Sequence, residues 1–202
     1  MYSTGILKGD AVILRMFTEA LGAYLTVRMA DIPEKPVISY GLPGAVDGKN
    51  AVCLYLYAMA EDAVLRTNDK NYARVAGAWV ASPLPLRLKC GFIVSAWPAV
   101  TAASESLLIQ QNLLSAVFGV LVSMSTVPSA YMPALLKTDD LQKPVIALSS
   151  NELPKNPEFW VSLGCHYRPS FTFDATVSLP VAESQYDHVV EGLDIAYRNM
   201  VT

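Results

Sequence analysis

The sequence predicts a single α/β (α+β) domain in which helices cover a β-sheet, and its length and periodicity are the reasons. With 202 residues, 52% of them hydrophobic and 16% charged, the chain can bury one large core and is too short to divide comfortably into two. Segments with a helical apolar period are interspersed with segments of strand-like alternation. We therefore treat residues 1–202 as one domain.

Residues 10–27 have the apolar period of an amphipathic helix. Asp10 is placed to accept the first free backbone amides as an N-cap. A connector rich in proline and glycine follows, with a short β-branched run at Val37 and Ile38. The positions that form the buried side of the helix are Ile13, Met16, Phe17, Ala20, Leu21 and Tyr24.

Two strands and a long connection come next. AVCLYLYAM, residues 51–59, is apolar at both alternating sets of positions, which is typical of a strand covered on both faces near the sheet centre. Residues 85–97 form a second strand with one apolar face, while its other face begins polar at Arg87 and Lys89. Between them, residues 61–83 have few apolar positions in any period except Trp79-Val80, which predicts a long arm or loop.

A long helix after Pro98, capped by Thr101 or Ser104, is expected to be the main cover of the sheet. The apolar stripe expected to face the sheet consists of Leu107, Leu114, Val117, Phe118 and Leu121.

The last third of the chain predicts three further elements. PVIAL is a short strand from Pro144, and PEFWVSLG is a short helix with Pro157 near its start and Gly164 at the C-cap position. PSFTFDATVSLPV alternates cleanly and predicts a half-buried strand with a solvated or partner-facing side. From about residue 182 the pattern fits a strand or a helix, and we expect a short C-terminal extension.

Charge and cysteine usage exclude several classes of function. The net charge is -3 and the Lys and Arg residues are dispersed, so no basic stripe is available for nucleic acid. The run LLSAVFGVLV has about half the roughly 20 residues needed to cross a bilayer, so no membrane span is expected. Asp10 and Arg15 interrupt any signal-peptide core, which favours the cytoplasm. The three cysteines have no metal-site spacing, so we expect reduced thiols without a metal or cofactor.

The adjacent Cys165 and His166 are the one pair with potential chemistry. They lie in a tight connector between Gly164 and Pro169, and consecutive side chains tend to point in different directions. Nucleophilic catalysis needs the base within reach of the thiol and a third group to orient it, and the other imidazole, His188, is not placed nearby by the sequence. We therefore interpret the pair as connector residues and predict that the protein is not an enzyme.

Three segments, NAVCLYLYAMAEDAVLRTND, PLPLRLKCGFIVSAW and WVSLGCHYRPSFTFDATVSLPV, share a motif set with one family. In order, spacing and intervening helix they resemble the cap, or tail-terminator, proteins of phage-tail-like extracellular contractile injection systems of the virulence-cassette and antifeeding-prophage type. The resemblance covers about residues 10–182. Where the family has Asp in its second strand, this chain has Lys89 or Cys90, so the charge of that face is expected to differ.

The resemblance implies a tail-terminator-like fold with a central mixed, mostly antiparallel sheet packed against helices. It implies a structural protein that forms a homohexameric ring on the distal end of the inner tube and contractile sheath, stops polymerisation of both layers and anchors the last sheath ring. The expected partners are further copies of the chain, the inner tube protein and the sheath protein, without nucleic acid or membrane. Assembly would take place in the bacterial cytoplasm, within a particle that can be released.

The arm and the polar strand face supply the candidate contacts with other subunits. A soluble cytoplasmic small-ligand-binding protein or enzyme, with Cys165 and His166 at its site, stays the alternative. The candidate contact residues are Arg66, Arg74, Trp79, Arg87, Lys89, Arg168 and Asp174.

Overall fold

The computed structural model of the chain describes residues 12–64, 70–75, 78–99, 102–137, 143–151 and 156–179. Its helices are α1 (Ile13–Arg28), α2 (Ala103–Val122) and α3 (Pro157–Ser162), with a short 3-10 helix at Ala134–Leu136. Its strands are β1 (Val37–Ser39), β2 (Ala51–Glu61), β3 (Lys70–Val75), β4 (Ala78–Pro83), β5 (Leu86–Trp97), β6 (Val145–Ser149) and β7 (Ser170–Leu179).

Five of these strands form one mixed sheet in the order β1-β2-β5-β7-β6. Strand β1 runs parallel to β2, and the other neighbours are antiparallel. The expected fold class, a mixed and mostly antiparallel sheet packed against helices, is therefore confirmed. In this order β5 is the central strand and β2 lies beside it. Strand β2 is covered on both faces only along its first residues, Ala51–Leu54.

The segment expected to be an arm or loop contains a β-hairpin. Strands β3 and β4 pair antiparallel along their whole length and form a separate two-stranded sheet. The sequence did not predict these strands because short runs such as KNYARV and AWVASP carry no clear apolar alternation, yet backbone pairing alone is enough to make them strands. That residues 61–83 protrude as an arm stays a prediction. Residues 180–202, which include the expected C-terminal extension, lie outside the described part of the chain.

One face of the sheet is packed against α1 and α2 around a group of aromatic rings. Phe92 of β5 and Phe173 of β7 are directly opposite in the strand register and stack with ring centroids 4.9 Å apart. Phe17 of α1 approaches the Phe92 ring at 6.4 Å. The predicted buried side of α1 is confirmed, with Phe17, Leu21 and Leu25 fully buried. Asp10 lies outside the described residues, and at the described cap position, Val12, no side chain caps the helix.

Helix α2 covers the same face with part of the expected stripe. Val117 and Leu121 are buried and Leu114 packs against the core, while the predicted Leu107 and Phe118 are 55% and 44% exposed. Buried Gln110 donates from Nε2 to the carbonyl oxygen of Ala96 at 3.1 Å, which fixes its side of the helix on the end of β5, and Leu113 and Val120, outside the predicted stripe, are buried as well. The periodicity could not select the buried face because apolar residues lie all round this helix.

The start of α2 also differs from the prediction. The helix begins at Ala103, and the amide of Ser106 bonds to the carbonyl of Ala102 at 2.9 Å, so Ser104 lies inside the helix and not at its cap. Thr101 is outside the described residues. By length and composition, Ser104–Val122 could cross a membrane, and 28% of that stretch is buried in the protein. The absence of a membrane span thus stays an expectation.

Among the described residues, the opposite face of the sheet is covered only at one end, by α3. Trp160 of α3 is fully buried there against Cys53, Ile93 and Trp97. The sequence signals for α3 are confirmed: the Asn156 side chain accepts from the amide of Glu158 at 2.9 Å, and Gly164 has a φ of 72° just after the helix. These caps allow a helix of one and a half turns to hold the tryptophan in place.

A matched pair of glycine substitutions tests this packing. A Cβ at Gly91 would lie 2.9 Å from Cζ of Tyr57, whereas a Cβ at Gly119, exposed in α2, meets nothing within 4 Å. We expect Gly91→Ala to lower the free energy of unfolding by about 1 kcal/mol or more. We expect Gly119→Ala to raise it by about 0.5–1 kcal/mol, because alanine is the better helix former. Urea unfolding of both variants measures the two values, and equal signs would contradict the packing described.

Candidate interaction surface

The uncovered part of the second sheet face is the main polar surface that β5 and β7 build together. We call it the open face and define it by Tyr57, Arg87, Lys89, Asp174 and Ser178. The register places Arg87 opposite Ser178 and Lys89 opposite Thr176, while Gly91 is opposite Asp174. The alternation of the two strands therefore puts the polar residues together on the side away from α1 and α2.

Lys89 and Asp174 form an ion pair at the centre of the open face. The Lys89 Nζ lies 3.1 Å from Oδ2 of Asp174, and the two side chains are 51% and 21% exposed. The hydrogen bond and the negative charge of Asp174 hold the pKa of Lys89 above its usual value, so the amine is charged at neutral pH. Exposed pairs of this kind contribute only about 0–1 kcal/mol to stability. The fold therefore does not depend on this pair, and its charges are accessible to a partner.

Arg87 lies at the start of β5, on the same side. Its Nη1 donates to Oγ of Ser178 at 2.6 Å, which explains why this serine is buried on a mostly polar strand face. The guanidinium is half-buried, so its position is set within the subunit. The Arg87 guanidinium is thus held at a set position beside the Lys89–Asp174 pair.

A shallow hollow of about 410 Å³ lies beside the ion pair, lined by Tyr57, Lys89, Gly91, Asp174 and the loop after β6. The glycine leaves room for the Tyr57 ring, which packs edge-on against Phe159 at 6.1 Å. Burial, and then the charge of Asp174, raises the pKa of the Tyr57 hydroxyl. The hydroxyl therefore stays neutral at physiological pH. Within the described lining, no nucleophile is paired with a base.

Arg168 is not on the open face. Its guanidinium carbon lies 4.2 Å from the ring centroid of Trp97, at the end of the sheet that α3 covers. Cation–π contacts of this kind stabilise by about 0.5–1 kcal/mol at exposed sites. The residue thus has a structural partner within the subunit, and the sequence prediction that it contacts another subunit stays a prediction.

The hairpin brings two of the other candidates together. Arg74 of β3 and Trp79 of β4 are directly opposite each other in the register. Arg66 lies outside the described residues. The structure therefore places the candidates on two separate surfaces, the hairpin and the open face, with Arg168 at a third position.

Cys165 and His166 do not have the geometry of a catalytic pair. The Cys165 thiol donates to the carbonyl oxygen of Pro43 at 2.8 Å and packs beside the Trp160 cluster, while His166 is exposed. Burial raises the pKa of the neighbouring Cys53 thiol to about 12, and Cys165 adds to this shift. A thiol that donates to a backbone carbonyl is not activated as a nucleophile. No group of three or more metal-binding side chains occurs in the described ranges.

An apolar surface that the sequence analysis did not identify lies on the outer side of α2. Leu107, Leu108, Phe118 and Val122 are all substantially exposed, with Leu108 at 63%. The Phe118 ring lies edge-on to Phe171 at 5.2 Å and joins this surface to β7. The composition of α2 could have indicated this surface, because a helix that is apolar all round is normally covered on both sides. Contiguous apolar surface of this kind often marks an interaction site.

Comparison with known proteins assigns the fold. A family model described as the Pvc16 N-terminal domain matches residues 16–190. The sheath/tube terminator of an extracellular contractile injection system, PVC, in its extended state is 19% identical with a TM-score of 0.63, covering 94% of this chain and 64% of that one. The anti-feeding prophage cap, the AFP tube terminating cap, is 20% identical with a TM-score of 0.59, covering 89% and 60%.

This chain thus spans less than two thirds of the length of either terminator. No protein with a curated description matches it. At this level of identity the two structures show a shared fold, while the family model covers most of the chain. The chain belongs to the Pvc16 N-terminal domain family.

Proposed function

We propose that the protein is the structural cap, or tail terminator, of a contractile injection system. It forms a homohexameric ring on the distal end of the inner tube and the contractile sheath, ends the growth of both layers and anchors the last sheath ring. The observation that carries this proposal is the match of residues 16–190 to the family, supported by the fold shared with two terminators.

The two types of surface suit this role. Tube and sheath subunits polymerise by open-ended contacts that continue until a different surface binds the growing end. The open face offers fixed charges, and the outer side of α2 offers exposed apolar area. Charges fix the orientation and register of a contact, whereas apolar area supplies most of its free energy. We propose that these surfaces contact the tube, the sheath and neighbouring subunits.

A ring can bind the tube end firmly even when the contact made by each subunit is weak. When the subunits of a closed ring bind a symmetric tube end together, linkage raises the overall affinity by roughly 10² to 10⁴. An exposed ion pair such as Lys89–Asp174 can then contribute although it is weak alone. We propose no catalytic step, cofactor, nucleic acid or membrane in this function, with assembly in the bacterial cytoplasm and residence in a particle that can be released.

Deletion of the gene from a producing strain tests the function directly. We expect tubes and sheaths of uncontrolled length, or particles that fall apart, because nothing ends the head-to-tail growth. Electron microscopy of negatively stained particles measures the length distribution, and the intact gene on a plasmid is the control. Particles of normal length and stability from the deletion strain would rule out the cap assignment.

The cysteines provide a test against the enzyme alternative. Burial raises the pKa of Cys90 to about 11 and that of Cys53 to about 12, so both are neutral packing groups. We expect the combination of Cys53→Ala, Cys90→Ala and Cys165→Ser to lower stability by about 1 kcal/mol for each buried site while capping is retained. Thermal unfolding and particle length are the measurements. Loss of capping by folded Cys165→Ser alone would favour a reactive thiol.

A charge reversal tests the open face as a contact. We expect Lys89→Glu to fold with nearly unchanged stability and to lose capping, because it places a second negative charge beside Asp174. Lys49→Glu makes the same change at an exposed turn away from the open face and should cap normally. Normal particle length with Lys89→Glu would show that the centre of the open face is not a contact surface.

A further inference from the structure

We propose that the β3–β4 hairpin of one subunit pairs, as an added strand, with the free edge of β2 in a neighbouring copy of the chain. This inference rests on the proposed ring and names the contact that would join its subunits. Four features of the molecule support it: an unpaired strand edge, an apolar groove beside it, a hairpin without other strands, and complementary charge.

The free edge is the outer half of β2. Strand β1 pairs only with Ala51–Cys53, and beyond that point residues 54–60 pair with β5 on one side alone among the described strands, with a bulge between Leu56 and Ala58. Native proteins protect such an edge with proline, lysine, a bulge or a covering segment, because its free amides and carbonyls template further pairing. Residues 54–60, LYLYAMA, contain neither proline nor lysine, and Met59, beyond the bulge, is 54% exposed. Among the described strands, this edge is therefore open to another strand.

An apolar groove follows the same edge. It has a volume of about 480 Å³ and lies between α1 and the strand residues Leu54, Leu56 and Phe92, with Tyr40 at the edge. Helix α1 contributes Leu14 and Thr18 together with Arg15 and Glu19, whose charges are paired at 2.7 Å. These strand residues belong to the helix-covered face of the sheet. A strand added to the edge would place every second side chain in this groove. Backbone pairing and apolar burial would then stabilise one and the same contact.

The hairpin is a suitable occupant because it lacks a third strand. Among the described strands, β3 and β4 pair only with each other. An isolated two-stranded hairpin is at best marginally stable in water and needs a further strand or a packing surface. Its register pairs Ala73 with Val80 and Val75 with Ala78, so these apolar positions share one face of the hairpin.

Length and charge favour the same pairing. Each hairpin strand has six residues, and the free edge offers residues 54–60. The strands KNYARV and AWVASP contain two cationic residues and no carboxylate, whereas residues 54–62 contain no cation and include the carboxylate of Asp62. Opposite charges across a contact favour the correct register and reject a second edge of the same kind.

The contact uses a different surface on each copy, which is the condition for a ring. A hairpin on one side and a groove on the other form a heterologous, head-to-tail interface, and such an interface closes when the rotation per subunit allows it. In the described chain the hairpin does not pair with its own β2 edge, so the edge is free for the hairpin of the next copy.

Photo-crosslinking in a particle-producing strain tests the contact. The probe p-benzoylphenylalanine, similar in shape to tyrosine, replaces Tyr72 of β3, and the control carries it at exposed Tyr167 before β7. Tyr72 is at a position on the face of the hairpin opposite to Ala73 and Val75. We therefore expect its probe to give a band at twice the mass of the chain, with cross-linked peptides from residues 51–64 of a second copy and not from α1. Capture of a tube or sheath subunit instead, peptides from elsewhere, or no dimer would overturn the proposal.

Two substitutions on α1 make the test specific to the groove. Thr18 lines the groove and Thr26 does not, while both hydroxyls donate to the carbonyl four residues earlier, at 2.9 and 2.8 Å. We expect Thr18→Arg to reduce the Tyr72 cross-linked dimer at least tenfold and Thr26→Arg to leave it unchanged. Thermal unfolding of both purified variants checks that they are folded. A dimer that persists with Thr18→Arg, or that both substitutions remove, contradicts docking in the groove.

The cross-linking and deletion experiments distinguish a failure of the hairpin contact from a failure of the cap assignment. If the gene deletion gives particles of uncontrolled length but the Tyr72 probe captures no second copy, the cap assignment stands and the hairpin contact is wrong. If deletion leaves particles normal while the probe still joins the hairpin to the groove, the chain self-assembles as inferred but does not act as the cap.

Discussion

Strand β5 imposes the constraint on which the rest of the structure depends, because it has to fit two unlike faces at once. On one side Phe92 stacks on Phe173 and meets Phe17, which ties two strands and α1 into one core. On the other side the preceding residue, Gly91, has no side chain, and the ring of Tyr57 occupies the space. At the centre of the sheet, a large side chain on one face is thus adjacent to the lack of one on the other, and each suits the packing of its own face.

This alternation explains why the protein has a strong core and a weakly covered second face. The helix-covered side contains most of the largest buried side chains, the exceptions being Ile93, Trp97 and Trp160, and apolar burial contributes about 25 cal/mol for each Å² removed from water. On the open face, α3 covers only one end, and the remaining polar groups pair with each other across strands. Stability comes from the first face, so the second can change its charges with little effect on folding.

The sequence was sufficient to predict the elements whose pattern is set locally. The α1 face, the caps of α3 at Asn156 and Gly164, and the two faces of β5 all follow from short-range period or from one capping residue. The rotation of α2 was not predictable, because it depends on one hydrogen bond from Gln110 to the end of β5, a contact between elements. The hairpin was missed for a similar reason, since its pairing supplies order that its side-chain pattern does not reveal.

The candidate site was predictable to the extent that it follows from strand alternation. Lys89 and Asp174 were both selected from the polar sides of their strands, but that they form an ion pair follows only from the register of β5 against β7. Arg168 was also a candidate, yet it lies over the largely buried ring of Trp97, in a contact between the connector after α3 and the end of β5 that the sequence did not indicate. Sequence patterns indicate on which side of a strand a residue lies and not which neighbour it contacts.

Surfaces that a lone subunit leaves incomplete are the strongest argument for assembly. Among the described residues, the outer half of β2, the two-stranded hairpin and the outer side of α2 each depart from a rule that isolated domains usually obey, namely that edges are protected and apolar helix faces are covered. The core beneath them is continuous from α1 through β5 to α2, so these departures lie at its surface. In the proposed ring, neighbouring copies and the end of a tube would supply the missing strand and cover the exposed side chains.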